Sequence, residues 1–552
     1  MKKFWIMLLF VVTFLSAATT SASAVVNEIV KVGLNKDEPM FSANLQNEVG
    51  AGYAFGYYDD QRSFVALGQT DKKKISVTAA GTIYLKSDGT YSGTKSSGAE
   101  LIGNWHIQIQ DVYTSAEEAA LAAGWINGYP AYIEGEFRVR VGCYADEATA
   151  QAALEKSGLI GTVVCGSSTG VVVTVSKTSN ILFEFDCQGV RNLGVLPDGG
   201  AKKTVTWFKG YKYYGGFEYN RIPGGNIRVV NVLHEDDYLK GVVPYEMSNS
   251  WPLAALEAQA VCARSYLYGH IGHMQNYGFD VCNTSCCQVY YGLGNSQRGP
   301  SANSDLAVEN TSGMCMYFDG AVINAVYHSS NGGATESSEN VWGGVRPYLI
   351  GKEDPYEATV SIPKYEYTVT YTPEELTWIA HNSKRGYEKE IGDICNVYVS
   401  EYTETGNVYE ITVMDTDGRT LVLKGDKAQS FFLSVTYGKE AASRRFTITG
   451  GAEVAFCIND RSTSVPTVNG AAVISGDGTV SPYAGEAPAV ITADGVETLT
   501  PGIPEAPEQF VITGAGNGHN VGMSQHGARA MALLGMTYQD ILHFYYTDIV
   551  IE

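Results

Sequence analysis

The sequence is short of positive charge. Its 38 Lys and Arg residues stand against 59 Asp and Glu, a formal net charge of −21, and no Lys/Arg run forms a basic stripe. Phosphate backbones and anionic lipid surfaces are held by concentrated positive charge, so nucleic acid and a membrane surface are both poor partners for the folded part. After the first two dozen residues there is no apolar run long enough to span a bilayer. Cysteine is thin too, at ten in 552 residues, and only Cys282, Cys286 and Cys287 cluster. That excludes a dense disulfide scaffold, and the other thiols read as small buried side chains. The sequence also lacks a nucleophile elbow for a Ser/His/Asp triad, a Walker loop and an H-E-x-x-H helix.

What is present points outward from the cell. Lys2 and Lys3 precede an apolar stretch from Phe4 to Leu15, and Ala22-Ser-Ala24 is an A-x-A site. This is a targeting segment, residues 1–24, with cleavage expected after Ala24; the rival fate is an uncleaved anchor. Either places the remainder outside the cytoplasm, secreted or anchored at the wall. Hydrophobic residues make up 45%, enough for packed cores over two to four domains. The chain holds 36 Tyr and 61 Gly, which suggests a strand- and turn-rich protein with polar–aromatic surfaces suited to carbohydrate.

The organisation reads as an α+β chain. Residues 25–98 are short strands, with a turn at Asp59-Asp60. Residues 99–178 change character. Strands at 105–109, 131–134, 137–141, 161–165 and 171–175 enclose helices at 116–123, capped by Ser115, and 146–156, stopped by Gly158. The order β-α-β-β-α-β comes with an internal echo, Tyr113-Thr-Ser-Ala-Glu-Glu-Ala against Tyr144-Ala-Asp-Glu-Ala-Thr-Ala. Residues 179–552 form the largest region. Strands are expected at 181–185, 203–208, 216–219, 227–233, 316–318 and 321–328. Helices are expected at 251–268, 304–310, 373–382 and 524–534, with a last one capped by Thr537. Residues 470–507 read as loops or weak strands.

Four constellations carry chemistry. In the first, Glu246 lies between an apolar, strand-like stretch from Tyr238 and a helix entered through Trp251-Pro252, with Gln259, Arg264 and Ser265 off the apolar face of that helix. A carboxyl among Val, Pro, Met and Trp is desolvated, which raises its pKa as a general acid requires. A surface turn residue is the plainer alternative. The second is the polar, Gly-rich loop of His328, Ser329, Ser330 and Thr335, able to bind sugar hydroxyls or to be an ordinary long loop. The third is a Gly-rich turn with His519 leading to Ser524 and Gln525, where a helix N-terminus could receive a substrate oxygen or simply be capped. The fourth is His273 with Cys282, Cys286 and Cys287. It can hold zinc, pair as a Cys282–Cys286 or Cys282–Cys287 disulfide, or remain as thiols.

Together these blocks resemble the family of stage II sporulation protein D, including the LytB amidase enhancers. The match runs through Tyr238-Leu-Lys-Gly-Val-Val-Pro-Tyr-Glu246-Met, then Gln259-Ala-Val and Ala263-Arg-Ser-Tyr266. It continues in Asp280-Val-Cys-Asn-Thr with Cys287-Gln-Val-Tyr290, His328-Ser-Ser-x-Gly-Gly-x-Thr335, and Gly518-His519-x-Val-Gly-Met-Ser524-Gln525. The resemblance implies a lytic transglycosylase on peptidoglycan glycan strands, with Glu246 as its one acid/base. It implies glycan contacts from Gln259, Arg264, Ser265, His328, Ser329, Ser330, Thr335, His519, Ser524 and Gln525. A structural zinc on Cys282, Cys286, Cys287 and His273, and a cell-wall amidase as partner, belong to the same expectation. Two residues depart from the pattern beyond the metal motif, where Cys286 stands for a His: Asn520 stands for Gly, and His526 for Tyr. Residues 99–178 resemble a SPOR domain, through the repeat and the strand Phe137-Arg-Val-Arg-Val-Gly-Cys-Tyr144, which implies an inserted glycan-binding module. A non-catalytic glycan binder that assists an amidase is the other reading.

Overall fold

The computed structural model describes residues 28–200, 202–383, 386–452 and 503–552, with short strand segments between 453 and 502. The targeting segment lies outside the described residues, as does much of 470–507; the described part of the latter consists of short hairpin strands.

Two sheets pack over a shared core. The first has seven strands in the order 281–282, 29–33, 226–234, 216–222, 193–198, 52–58 and 64–70. The second has ten, in the order 161–165, 105–109, 136–144, 129–133, 181–186, 171–175, 74–79, 42–49, 205–208 and 211–213. Period-two alternation sends Val30 and Val32 of the first sheet, and Ile75, Val77, Val171 and Val173 of the second, into one apolar cluster. Helices Glu235–Glu246, Leu253–His270, Ala302–Asn310, Gln525–Leu533 and Tyr538–Tyr545 extend that cluster. Residues 366–449 and 510–515 build a lobe with its own core, around Tyr371, Val397, Phe432 and Ile512.

The helix ends mostly follow sequence signals. Ser115 accepts from the Glu118 N–H, Asp146 from that of Thr149, and Thr537 forms a capping box with Asp540. Gly158 stops its helix in the left-handed conformation at φ +69°. Two stretches differ from expectation. The segment before Glu246 is helix, not strand. Its buried residues Tyr238, Leu239, Val242 and Val243 fall at i, i+1, i+4 and i+5, and Glu235, Asp236 and Asp237 complement the helix N-terminus. Residues 321–328 are strand only at 321–322 and 327–328.

The 105–165 unit has its strands in the order 161–165, 105–109, 136–144, 129–133, and its first helix packs Ala119 and Ala123 against Ile109 and Val139. Val171–Val175, expected within the same module, instead pairs with Lys74–Ala79 and Ile181–Asp186. The unit is also continuous with the main sheet, because Ala131–Ile133 runs parallel to Glu184–Asp186. At that seam Arg140 donates to Glu184 at 2.5 Å, with side-chain exposures of 6% and 1%. The Tyr129 hydroxyl lies 2.8 Å from His106 Nδ1 and reaches Glu184. A buried ion pair adds little net stability, but removing one partner strands a charge. We therefore expect Glu184→Ala to destabilise the fold by about 3–5 kcal/mol and Glu184→Ala/Arg140→Met to recover much of that loss, as read by urea unfolding.

Candidate active site

Glu246 is the last residue of the helix Glu235–Glu246, whose final carbonyls lack intrahelical donors. Arg298 supplies them: Nε and Nη2 donate to Pro244 O at 3.1 and 3.0 Å, and Nη2 to Tyr245 O at 2.8 Å. A cation is favoured at this end of a helix.

Three segments remote in sequence donate to the carboxylate. Gln525 Nε2 reaches Glu246 Oε2 at 3.4 Å. The Tyr327 hydroxyl and the Val289 backbone N–H complete the set. The direction of the Tyr327 bond is set one step further out. Tyr238 donates to Gln288 Oε1 at 3.1 Å, and Gln288 Nε2 donates to the Tyr327 oxygen at 3.3 Å, which leaves the Tyr327 proton for Glu246. Burial pushes the Glu246 pKa above the ordinary carboxyl range; the donors and the nearby Arg298 charge only partly offset it. None of these neighbours is a carboxylate. Gln525 also donates to Gln259 Oε1 at 3.3 Å, and Gln259 Nε2 is buried without a protein acceptor.

Around this centre the expected residues divide. His328 is buried with Nδ1 3.1 Å from Val521 O, its ring 5.4 Å from that of His519, and Trp342 lies 5.1 Å from His519. Burial lowers the His519 pKa to about 4, so the ring is neutral near neutral pH. Ser329 accepts the His526 N–H at 3.1 Å through its carbonyl, and Ser330 exchanges backbone bonds with Asn517. The helix N-terminus at Ser524 is not vacant for a substrate oxygen. The Ser524 side chain caps Gly527 N–H at 3.0 Å and donates to Glu357 at 2.5 Å.

Three expected glycan contacts are structural. Arg264 is fully buried, donating to Thr311 O at 2.6 Å and to Asp236 at 2.7 Å, with Glu235 alongside. Ser265 donates to Val261 O and accepts from Met316 N. Thr335 is buried, and its hydroxyl bonds the Lys352 backbone in both directions. Each is polar on the face a helix or loop turns inward, where internal partners hold it.

Tyr327, Gln288, Arg298 and Glu357 are not among the expected site residues. Tyr327 opens the Gly-rich loop block and Gln288 lies within the cysteine block, but their place beside Glu246 follows only from tertiary contact. Glu357 stands in no motif. It accepts from Asn331 N at 2.8 Å, Gly332 N at 2.9 Å and Ser524, and so fastens the Gly-rich loop to the closing helix.

The cysteine cluster forms where Val281–Cys282 joins the seven-stranded sheet. The sulfurs of Cys282, Cys286 and Cys287 lie within 4.8 Å of one another as free thiols, not a disulfide. A hydrogen bond from the Cys287 thiol brings the Cys282 pKa down to about 5. His273 does not join them: it is exposed in the turn after Leu253–His270, its ring 6.0 Å from that of His270. The donor set suits a thiophilic ion such as zinc with three protein ligands.

A family model described as stage II sporulation protein matches residues 223–318, which hold Glu246, Gln259 and the three cysteines. An uncharacterized protein of Brachyspira hyodysenteriae is 30% identical over 364 residues, covering 65% of this chain and 78% of that one. Stage II sporulation protein D of Bacillus subtilis is 25% identical over 325 residues, 56% of this chain and 72% of that protein. The chain belongs to the stage II sporulation protein D family. The amidase enhancer of Bacillus subtilis is 28% identical over 319 residues, 56% of this chain, and the match spans only 39% of that relative.

Two departures from the expected pattern of the stage II sporulation protein D family have structural accounts. Asn520 takes φ +63°, the left-handed region that Gly favours and Asn tolerates. Its Nδ2 then donates to Asn331 O at 2.7 Å and Asn407 Oδ1 at 3.2 Å, bonds that Gly cannot make. His526 packs 4.9 Å from Trp251 and, with its pKa lowered to about 4 by burial, serves as a neutral ring.

Tyr327 donates to the charged form of Glu246. Tyr327→Phe is therefore expected to raise the Glu246 pKa further, so that the carboxyl ionises at higher pH. A 13C NMR titration of Glu-labelled protein reads this, with Glu246→Gln assigning the resonance.

Proposed function

We propose that the protein is a peptidoglycan lytic transglycosylase acting outside the cytoplasm in cell-wall remodelling, with sporulation as the setting two of its relatives' names suggest and spore engulfment as the step within it. The observation that carries the reading is Glu246: one carboxyl, half-buried, with a raised pKa, at the meeting point of three donors and, among the described residues, without a second carboxylate as a partner.

That arrangement suits a one-carboxylate mechanism. The raised pKa keeps Glu246 protonated at pH values where an ordinary carboxyl has ionised. The acid gives its proton to the oxygen linking N-acetylmuramic acid to N-acetylglucosamine as the C1–O bond breaks. The resulting carboxylate takes the proton of the muramyl 6-hydroxyl while that oxygen bonds C1, which closes the 1,6-anhydro ring and returns Glu246 to its acid form. No paired nucleophile at glycosidase spacing is required. Gln525 and Tyr327 steady the carboxylate between the two transfers, and the unsatisfied Gln259 amide adds polarity to the site. The acid is lost as pH rises through the raised pKa, so activity declines on the alkaline side.

Digestion of peptide-stripped glycan by residues 25–552, read by mass spectrometry, tests this. Wild type is expected to release anhydro-muramic ends, and Glu246→Gln to lose about 10²–10⁴-fold in rate. The likeness to a protein named amidase enhancer supports a second reading, a glycan binder that assists a cell-wall amidase. Absence of anhydro ends from wild type, with stimulation of an added amidase, selects that reading. In either case the 105–165 unit would contribute glycan contacts beyond the centre.

The thiol triad fits zinc, and the ion would brace the segment that delivers Val289 and Gln288 to Glu246. Bound zinc would supply a rigid crosslink rather than a reacting group. Protein purified without chelator is expected to carry about one zinc per chain, and Cys282→Ser to lose it by elemental analysis; less than about 0.2 per chain argues against the site.

A further inference from the structure

An aromatic column stands at the rim of the Glu246 centre. The strand Tyr211–Tyr213 and the segment Tyr290–Tyr291 lie side by side, bound through Leu293 N to Lys212 O at 2.7 Å and Lys212 N to Gly294 O at 3.0 Å. Gly292, at φ +56°, permits this approach, because a Cβ there would stand 2.3 Å from Lys212 O. Alternation then sorts the four tyrosines. Tyr213 and Tyr290 turn into the core, with centroids 5.9 Å apart. Tyr211 and Tyr291 turn to the surface and stack at 4.8 Å with an interplanar angle of 24°.

The outer pair does not end there. Tyr245, the neighbour of Glu246 in sequence, packs against Tyr291 at 5.2 Å, and the Arg298 guanidinium covers the Tyr245 ring at 4.7 Å. The column Tyr211–Tyr291–Tyr245–Arg298 therefore runs from the edge of the ten-stranded sheet to Glu246. The Tyr211 and Tyr291 hydroxyls have no partner among the described residues. Arg298 spends Nε and Nη2 on Pro244 and Tyr245, while Nη1 has no acceptor there and the residue is exposed. Three half-exposed phenol rings in a row offer apolar contact, and the outer two offer free hydroxyls, since Tyr245 donates to Arg298 O at 3.2 Å; pyranose rings match that combination. A fixed cation at the inner end adds recognition of a carboxylate.

We infer that this column is an extended glycan subsite, in which the tyrosines hold sugars beyond the cleavage point and Arg298 receives the lactyl carboxylate of the muramyl residue next to Glu246. The inference rests on the proposed action on peptidoglycan glycan. It makes the protein prefer long strands, since a short oligosaccharide at Glu246 does not reach Tyr211, and it makes one side of the site select muramic acid over plain N-acetylglucosamine polymer.

The test uses the full chain carrying Glu246→Gln, so that binding is read without turnover, and peptide-stripped glycan strands as probe. Tyr211→Ala/Tyr291→Ala is expected to weaken strand binding about tenfold, a loss the size of two weak ring contacts. Tyr211→Phe/Tyr291→Phe keeps the packing and removes only the free hydroxyls; a smaller loss, about two- to fivefold, is expected from it. Arg298→Gln is expected to abolish the preference for muramic-acid strands over chitin oligomers. Retention of strand affinity by both tyrosine pairs, or of the preference by Arg298→Gln, overturns the subsite. A parent protein that holds no glycan at all overturns the underlying reading together with it.

Discussion

Everything at the centre follows from the need to bury one carboxyl without letting it lose its hydrogen-bond partners. Removing Glu246 from water penalises its charged form, which is what lifts its pKa. An unaided buried carboxylate would be too costly to ionise at all. The fold meets both conditions by bringing donors of three kinds to one point: a phenol, a carboxamide and a backbone N–H. The second rank, Tyr238 and Gln288, makes no contact with the carboxylate, yet it decides which way the Tyr327 proton points.

Much of this was legible in the chain. Glu246 is singled out by the family resemblance, since its spacing alone fits a surface turn residue, and Gln525 lies in the closing block of the same resemblance. Caps were legible for the same reason, since Ser115, Asp146 and Thr537 act on neighbours three residues away. What was hidden was direction. Arg264 and Thr335 look like sugar contacts in sequence, but only tertiary packing shows that Asp236, Thr311 and the Lys352 backbone claim them. Period misled at 238–243, where a helix buried on much of its surface is as apolar as a strand. Glu357 gives no local sign of its role, because the loop and the helix it joins lie 25 to 167 residues away.

The same distinction applies to the small α+β unit. Its strands and helices were readable from alternation and caps, but its relation to the rest was not. An inserted module suggests a bead on a string. The parallel pairing of Ala131–Ile133 with Glu184–Asp186, and the buried Arg140–Glu184 pair across that seam, make it part of the same sheet. Any glycan it touches is therefore held at a fixed distance and angle from Glu246, not delivered by a tether.

The separation of Glu246 from Gln525 has a consequence in time as well as space. The two residues are 279 positions apart, and the whole 366–449 lobe is made between them. During synthesis the Glu246 helix and its sheet exist long before the carboxamide that completes the centre. Contacts of such long range form late and slowly. A ribosome-held chain that has not yet reached its closing helices thus carries the acid without its full setting, so the competent site is among the last things the molecule acquires.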